Sequence, residues 1–177
     1  MNEESRLLLR LLARLAAYPD EGWAELLEGR DSWPKGPLHA AEWERCGDFL
    51  ARRSAEPLLR QMEEYTQTFY LSAPSCLDLT WHRWDDERVR RNALAHLVGL
   101  YRQAGYACTA REMPDHLPVV LEFLSLAREE TGRWIVETYA EAVSIIASSL
   151  RERASPYVPL FDAILSVFEA LRNGGPR

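Results

Sequence analysis

The chain has 177 residues, of which 21 are basic and 27 acidic, giving a formal net charge of −6. A chain of that length suits one domain and can bury roughly 70% of its unfolded surface, so neither a metal nor a disulfide is needed to hold a core. With 47% hydrophobic and 27% charged residues it falls in the folded, globular range. The acidic balance argues against a nucleic-acid protein, which needs many phosphate-neutralising cations on one face. Cys46, Cys76 and Cys108 are widely spaced and form no C-x-x-C unit, so they read as partly buried thiols of a reducing compartment, the cytoplasm. Glu3 and Glu4 come first, and Arg6, Arg10 and Arg14 interrupt the leucines, so no export signal is expected. No apolar run approaches the ~18 residues of a membrane span. Lys35 is the only lysine, which codon bias or thermal adaptation explains more simply than an arginine-built binding surface.

The apolar spacing is helical almost throughout. Leu8, Leu11, Leu12 and Leu15 make a first amphipathic helix that should stop before Pro19. Asp20 is expected to cap a short second helix carrying Trp23, Leu26 and Leu27, and Gly29 to Pro37 reads as a loop. A third helix is predicted over Ala41 to Arg53, with Trp43, Cys46, Phe49 and Leu50 inward. Ser54 is expected to cap a fourth, which has Pro57 in its first turn and continues through Leu58, Met62, Tyr65 and Phe69. Ser72 to Trp84 looks irregular. A fifth helix should enter at Asp85 or Asp86 and stop at Gly105. Past Pro114, Leu117, Leu121 and Leu124 open a sixth, broken or bent at Thr131-Gly132. Trp134, Tyr139, Val143, Ile146 and Leu150 line a long seventh, and Ser155-Pro156 starts a last helix through Leu171. With no strand alternation and no repeat, the expected fold is all-α: a single compact bundle of about eight helices over residues 1–172, with 173–177 as a frayed tail.

The common enzyme motifs are missing: no glycine-rich phosphate loop, no G-x-S-x-G elbow, no H-E-x-x-H and no paired E-x-x-H of a di-iron bundle. No catalytic or metal-ligating residue is assigned. Cys76 and His82 come nearest to a nucleophile and base, without a supporting motif. The feature that stands out is Glu112-Met-Pro-Asp-His-Leu-Pro118. Pro114 disfavours helix at Met113, Asp115 is a good N-cap, and Pro118 is tolerated in the first turn, giving a rigid entry with His116 turned to a neighbouring segment or a ligand. Charge is also placed unevenly. Residues 61–87 carry six acids against Arg83 and residues 112–130 five against Arg128, so −9 falls in two segments and +3 on the rest. That is the layout of an apolar groove with an acidic rim, suited to a short basic peptide.

These residues carry a resemblance. Glu112 to Pro118 followed by Leu121-Glu-Phe-Leu124 resembles the signature of the assembly chaperones of molybdenum oxidoreductases, in particular the nitrate reductase delta-subunit or NarJ branch of the TorD-like family. Tyr18-Pro19-Asp20-Glu21, the Tyr65 to Phe69 step and the Asp86 to Arg90 helix entry agree with it in order. The departures are Tyr70 where the branch has Asp, Met113 where it has Leu, and Asp85 and Arg91 in place of two glycines. The resemblance implies a cytoplasmic, non-catalytic all-helical chaperone, monomeric or a helix-swapped dimer, with no nucleic-acid partner and no membrane insertion. It would bind the N-terminal peptide of the catalytic (alpha) subunit of a nitrate-reductase-type enzyme and assist insertion of molybdenum cofactor and iron–sulfur cluster. It would bind no cofactor stably, touching molybdopterin guanine dinucleotide only transiently. A helical accessory subunit that stays in its complex would read much the same. The residues expected to meet the peptide are Tyr65, Phe69, Trp81, Met113, Pro114, Asp115, His116 and Glu122, with Asp115 and Glu122 pairing with its basic side chains. Asp86, Arg88 and Arg90 are expected to hold the fold, the arginines by pairing with acids.

Overall fold

The computed structural model describes residues 1–34, 36–107 and 112–173. Cys108 and the end of the expected tail lie outside them. Among the described residues there are nine α-helices: α1 Glu3–Ala16, α2 Gly22–Glu28, α3 Ala40–Ser54, α4 Leu58–Tyr65, α5 Leu79–Arg83, α6 Glu87–Gln103, α7 Leu117–Leu126, α8 Glu129–Glu152 and α9 Val158–Arg172. No strand accompanies them; the one extended pairing is an isolated antiparallel bridge between Asp78 and His116. None of these helices is long and apolar enough to cross a membrane.

The leucine stripe of α1 lies along α7, α8 lies along α9, and α3 packs on α9. Leu8, Leu12 and Leu15 of α1, Leu121 and Leu124 of α7, Ile146 and Leu150 of α8 and Phe161 and Ile164 of α9 are all fully buried in one cluster. The arginine stripe of α1 serves a neighbour: the Arg6 guanidinium donates to the carbonyls of Ser125 and Ala127 at 2.6 and 3.3 Å, closing the C-terminal end of α7. Asp86 accepts the N–H groups of Arg88 and Val89 at 2.7 and 3.1 Å and caps α6, as its spacing predicts.

Several expectations need correcting. Ser54 caps nothing: it is the last residue of α3, and Pro57 takes the N-cap position of α4. The segment expected to be irregular contains α5, a helix too short to show a period. The chain breaks at Ala127-Arg128 rather than at Thr131-Gly132. Gly132 lies in the first turn of α8, its N–H bonded to the Arg128 carbonyl at 2.9 Å, and faces Leu124. Asp115 leaves the N-cap of α7 to His116 and sends its carboxylate to another segment.

Candidate functional site

α4 runs into a single π-turn, Thr66–Tyr70, which widens the helix just before it ends. The inward positions keep the helical period: Tyr65 and Phe69 are 1% and 4% exposed, with rings 4.8 Å apart. The next two residues must therefore turn outward, and Tyr70 and Leu71 are 59% and 76% exposed. After the short 3-10 turn Ala73–Ser75, the chain crosses the 112–116 junction in extended form. Leu117 N–H donates to the Leu77 carbonyl at 2.8 Å and Leu79 N–H to the Asp115 carbonyl at 3.1 Å.

The junction is clamped from three sides. Thr80 donates both its N–H and its hydroxyl to Asp115 Oδ2, at 2.9 and 2.6 Å. The Tyr101 hydroxyl donates to the Pro114 carbonyl at 2.6 Å. His116 Nδ1 donates to Asp78 Oδ1 at 3.0 Å, which orients the ring against the 77–79 segment. Between the π-turn and this junction lies a groove of about 240 Å³. Phe69, Leu77 and Met113 supply apolar wall, Tyr70 an exposed ring, and Asp78 and Glu112 the charge, with Cys76 and His116 completing it. Tyr18 extends the aromatic surface, its ring 6.5 Å from Tyr70.

Phe69, Met113 and His116 thus share one groove, with Pro114 in the junction behind it. Tyr65 does not reach it: its hydroxyl donates to the Ala16 carbonyl at 3.0 Å, closing the end of α1, and burial raises its phenol well above the ordinary tyrosine value. Asp115, 1% exposed and held by Thr80, has no surface with which to pair a partner's cation, so the role expected of it is corrected to that of a clamp. Glu122 is exposed but accepts the Tyr106 hydroxyl at 2.9 Å and is not part of the wall. Trp81 is half exposed outside the groove, with the Arg90 guanidinium 4.8 Å over its ring. Arg90 therefore holds the fold through an aromatic face rather than an acid, while Arg88 is exposed and makes no side-chain ion pair among the described residues.

Tyr70, Asp78 and Glu112 were not singled out by sequence. Asp78 and Glu112 were legible as members of the two acidic segments, and Tyr70 as the departure from the family pattern. The other acids are spent locally: Glu64 on Arg53 at 2.5 Å, Asp86 on the α6 cap, and Glu129 on the Met1 amino group at 3.3 Å.

The arrangement is unsuited to nucleophilic chemistry. His82 Nε2 donates to the Cys76 carbonyl at 2.8 Å, so that nitrogen has no lone pair for the thiol 3.6 Å away, and burial raises the thiol above its ordinary value. Among the described residues, no group of three or more His, Cys, Asp or Glu is placed to hold a metal ion.

Comparison with known proteins gives the same direction. The family model for the nitrate reductase delta subunit matches residues 37–163. The chain is 32% identical over 166 residues to the probable nitrate reductase molybdenum cofactor assembly chaperone NarJ of Bacillus subtilis, covering 94% of this chain and 89% of that one. It is 28% identical to the nitrate reductase molybdenum cofactor assembly chaperone NarJ of Escherichia coli K12, over 90% of this chain and 68% of that protein. A nitrate reductase-like protein of Mycobacterium tuberculosis, NarX, matches at 33% over 67% of this chain but only 19% of its own length. A shared stretch spanning α3 to the first turn of α9, with the clamped junction inside it, places this chain in the nitrate reductase delta subunit family.

Proposed function

We propose that this chain is a client-specific, non-catalytic assembly chaperone of the cytoplasm. It binds the N-terminal peptide of the catalytic subunit of a nitrate-reductase-type molybdoenzyme and holds that subunit while molybdenum cofactor and an iron–sulfur cluster are inserted. Any contact with molybdopterin guanine dinucleotide is transient, and the chaperone departs before the complex is complete. The observation that carries this reading is the groove: exposed Tyr70, Leu71 and Met113 beside an acidic wall, on a junction pinned rigidly from behind. Exposed apolar side chains grouped at one place mark a contact surface, and a rigid wall lowers the ordering cost of binding an extended or helical peptide.

The test is to recover the protein from cells respiring on nitrate and identify the large subunit that accompanies it. A chaperone is found with the cofactor-free subunit and is absent from the mature enzyme, and Met113→Asp and Tyr70→Asp reduce recovery. Stoichiometric recovery with the cofactor-loaded enzyme would instead make it a permanent accessory subunit.

A further inference from the structure

The charged side chains on the groove wall are Asp78 and Glu112; the wall has no arginine or lysine. Asp78 is answered by His116, and among the described residues no cation lies within ion-pair distance of Glu112. The two acids come from segments far apart in sequence, yet after burial itself both Glu112 and Asp78 raise the Tyr70 phenol, so their fields meet at one exposed ring. The groove, at about 240 Å³, is smaller than the ~300–1,000 Å³ of small-molecule sites and far narrower than a whole helix, but it suits one long side chain.

We infer that the groove takes one basic side chain of the client peptide, arginine in preference to lysine, its stem along Met113 and Leu77 and its head between Glu112, Asp78 and the Tyr70 ring. This rests on the chaperone reading above and adds to it the residue that gives selectivity. Arginine is favoured because a planar guanidinium stacks on a phenol ring while its divergent N–H groups reach carboxylates on two different segments; an ammonium does only the second.

The experiment is calorimetric titration of the full chain with a synthetic N-terminal peptide of a nitrate reductase catalytic subunit, each arginine and lysine of the peptide being replaced in turn by glutamine. One arginine replacement should weaken binding about tenfold, the sum of a rim ion pair and a cation–π contact. Glu112→Gln should weaken the unaltered peptide about threefold and leave the peptide lacking that arginine unaffected, because the two changes remove one interaction. Lysine at that position should restore only part of the loss. Met113→Asp separates this inference from the reading beneath it. If Met113→Asp abolishes binding while every glutamine replacement is neutral or additive with Glu112→Gln, the groove binds the client but selects no cation, and the inference falls alone. If the peptide does not bind, or binds without regard to Met113→Asp, both fall.

Discussion

At the residue scale, the junction depends on one buried carboxylate. Asp115 accepts two hydrogen bonds from Thr80, and its removal would leave a buried N–H and hydroxyl without their acceptor. Hydrogen bonds to a charged group contribute about 1.5–3 kcal/mol and an orphaned donor costs a similar amount, so Asp115→Ala should lower the unfolding free energy by about 3 kcal/mol in urea titrations. Thr80→Val, which keeps the backbone donor, should cost less. The residue spacing identified the Pro-Asp-His junction as special but assigned Asp115 to a partner's cation. An N-capping pattern tells which residue leaves the helix, whereas the segment that its side chain meets, here 35 positions earlier in the chain, depends on packing. Tyr65 is a similar case: periodicity placed it inward, and only the fold shows its hydroxyl closing the end of α1. Tyr65→Phe should cost about 1 kcal/mol, the net contribution of one such hydrogen bond.

At the scale of elements, α6 and α8 end in the same way. After α6, Gly105 takes φ +73°, with Tyr106 N–H bonded to the Tyr101 carbonyl at 2.9 Å and Gly105 N–H to the Arg102 carbonyl at 3.1 Å. After α8, Ala154 takes φ +49°, with Ser155 N–H on the Leu150 carbonyl at 2.9 Å and Ala154 N–H on the Arg151 carbonyl at 3.0 Å. Both are Schellman stops, but the second puts a Cβ in the left-handed region, a cost of about 1–2 kcal/mol. Ala154→Gly should therefore stabilise the protein by about 1 kcal/mol, read as a rise of ~2–4 °C in thermal midpoint. The first stop was legible because glycine advertises it; the second was not, because alanine does not. The same reasoning explains α5, only five residues long, which has no room for a period and is held by α8 beneath it and by the bridge at Asp78.

On the scale of the whole molecule, the core holds ionisable groups in their neutral forms. Burial raises the phenols of Tyr65, Tyr139 and Tyr157 and pushes the Cys46 thiol up to about 12. In the unfolded chain these groups ionise near ~8.5 for cysteine and ~10 for tyrosine. Above those values the unfolded state has released protons that the native state keeps, so stability falls as pH rises. Their contribution is complete below about pH 8 and is lost progressively above it. Thermal melts should show a midpoint that declines from about pH 9 upward, and Tyr139→Phe, which removes one such group, should flatten the decline.

The sequence by itself determined the all-helical class, most helix starts and stops, the inward stripes and the two acidic segments, because helical period, capping residues and net charge are properties of neighbouring positions. The family, too, was legible in the Glu112 to Pro118 signature. The tertiary structure decided which acids face an opening. Asp78 and Glu112 come together at Tyr70 because an extended crossing pairs Leu77 and Leu79 with the junction. Asp115, three residues from Glu112, is turned into the core by the same pairing. Which residues of a charged segment remain at the surface depends on contacts between distant parts of the chain, and local pattern carries no record of those.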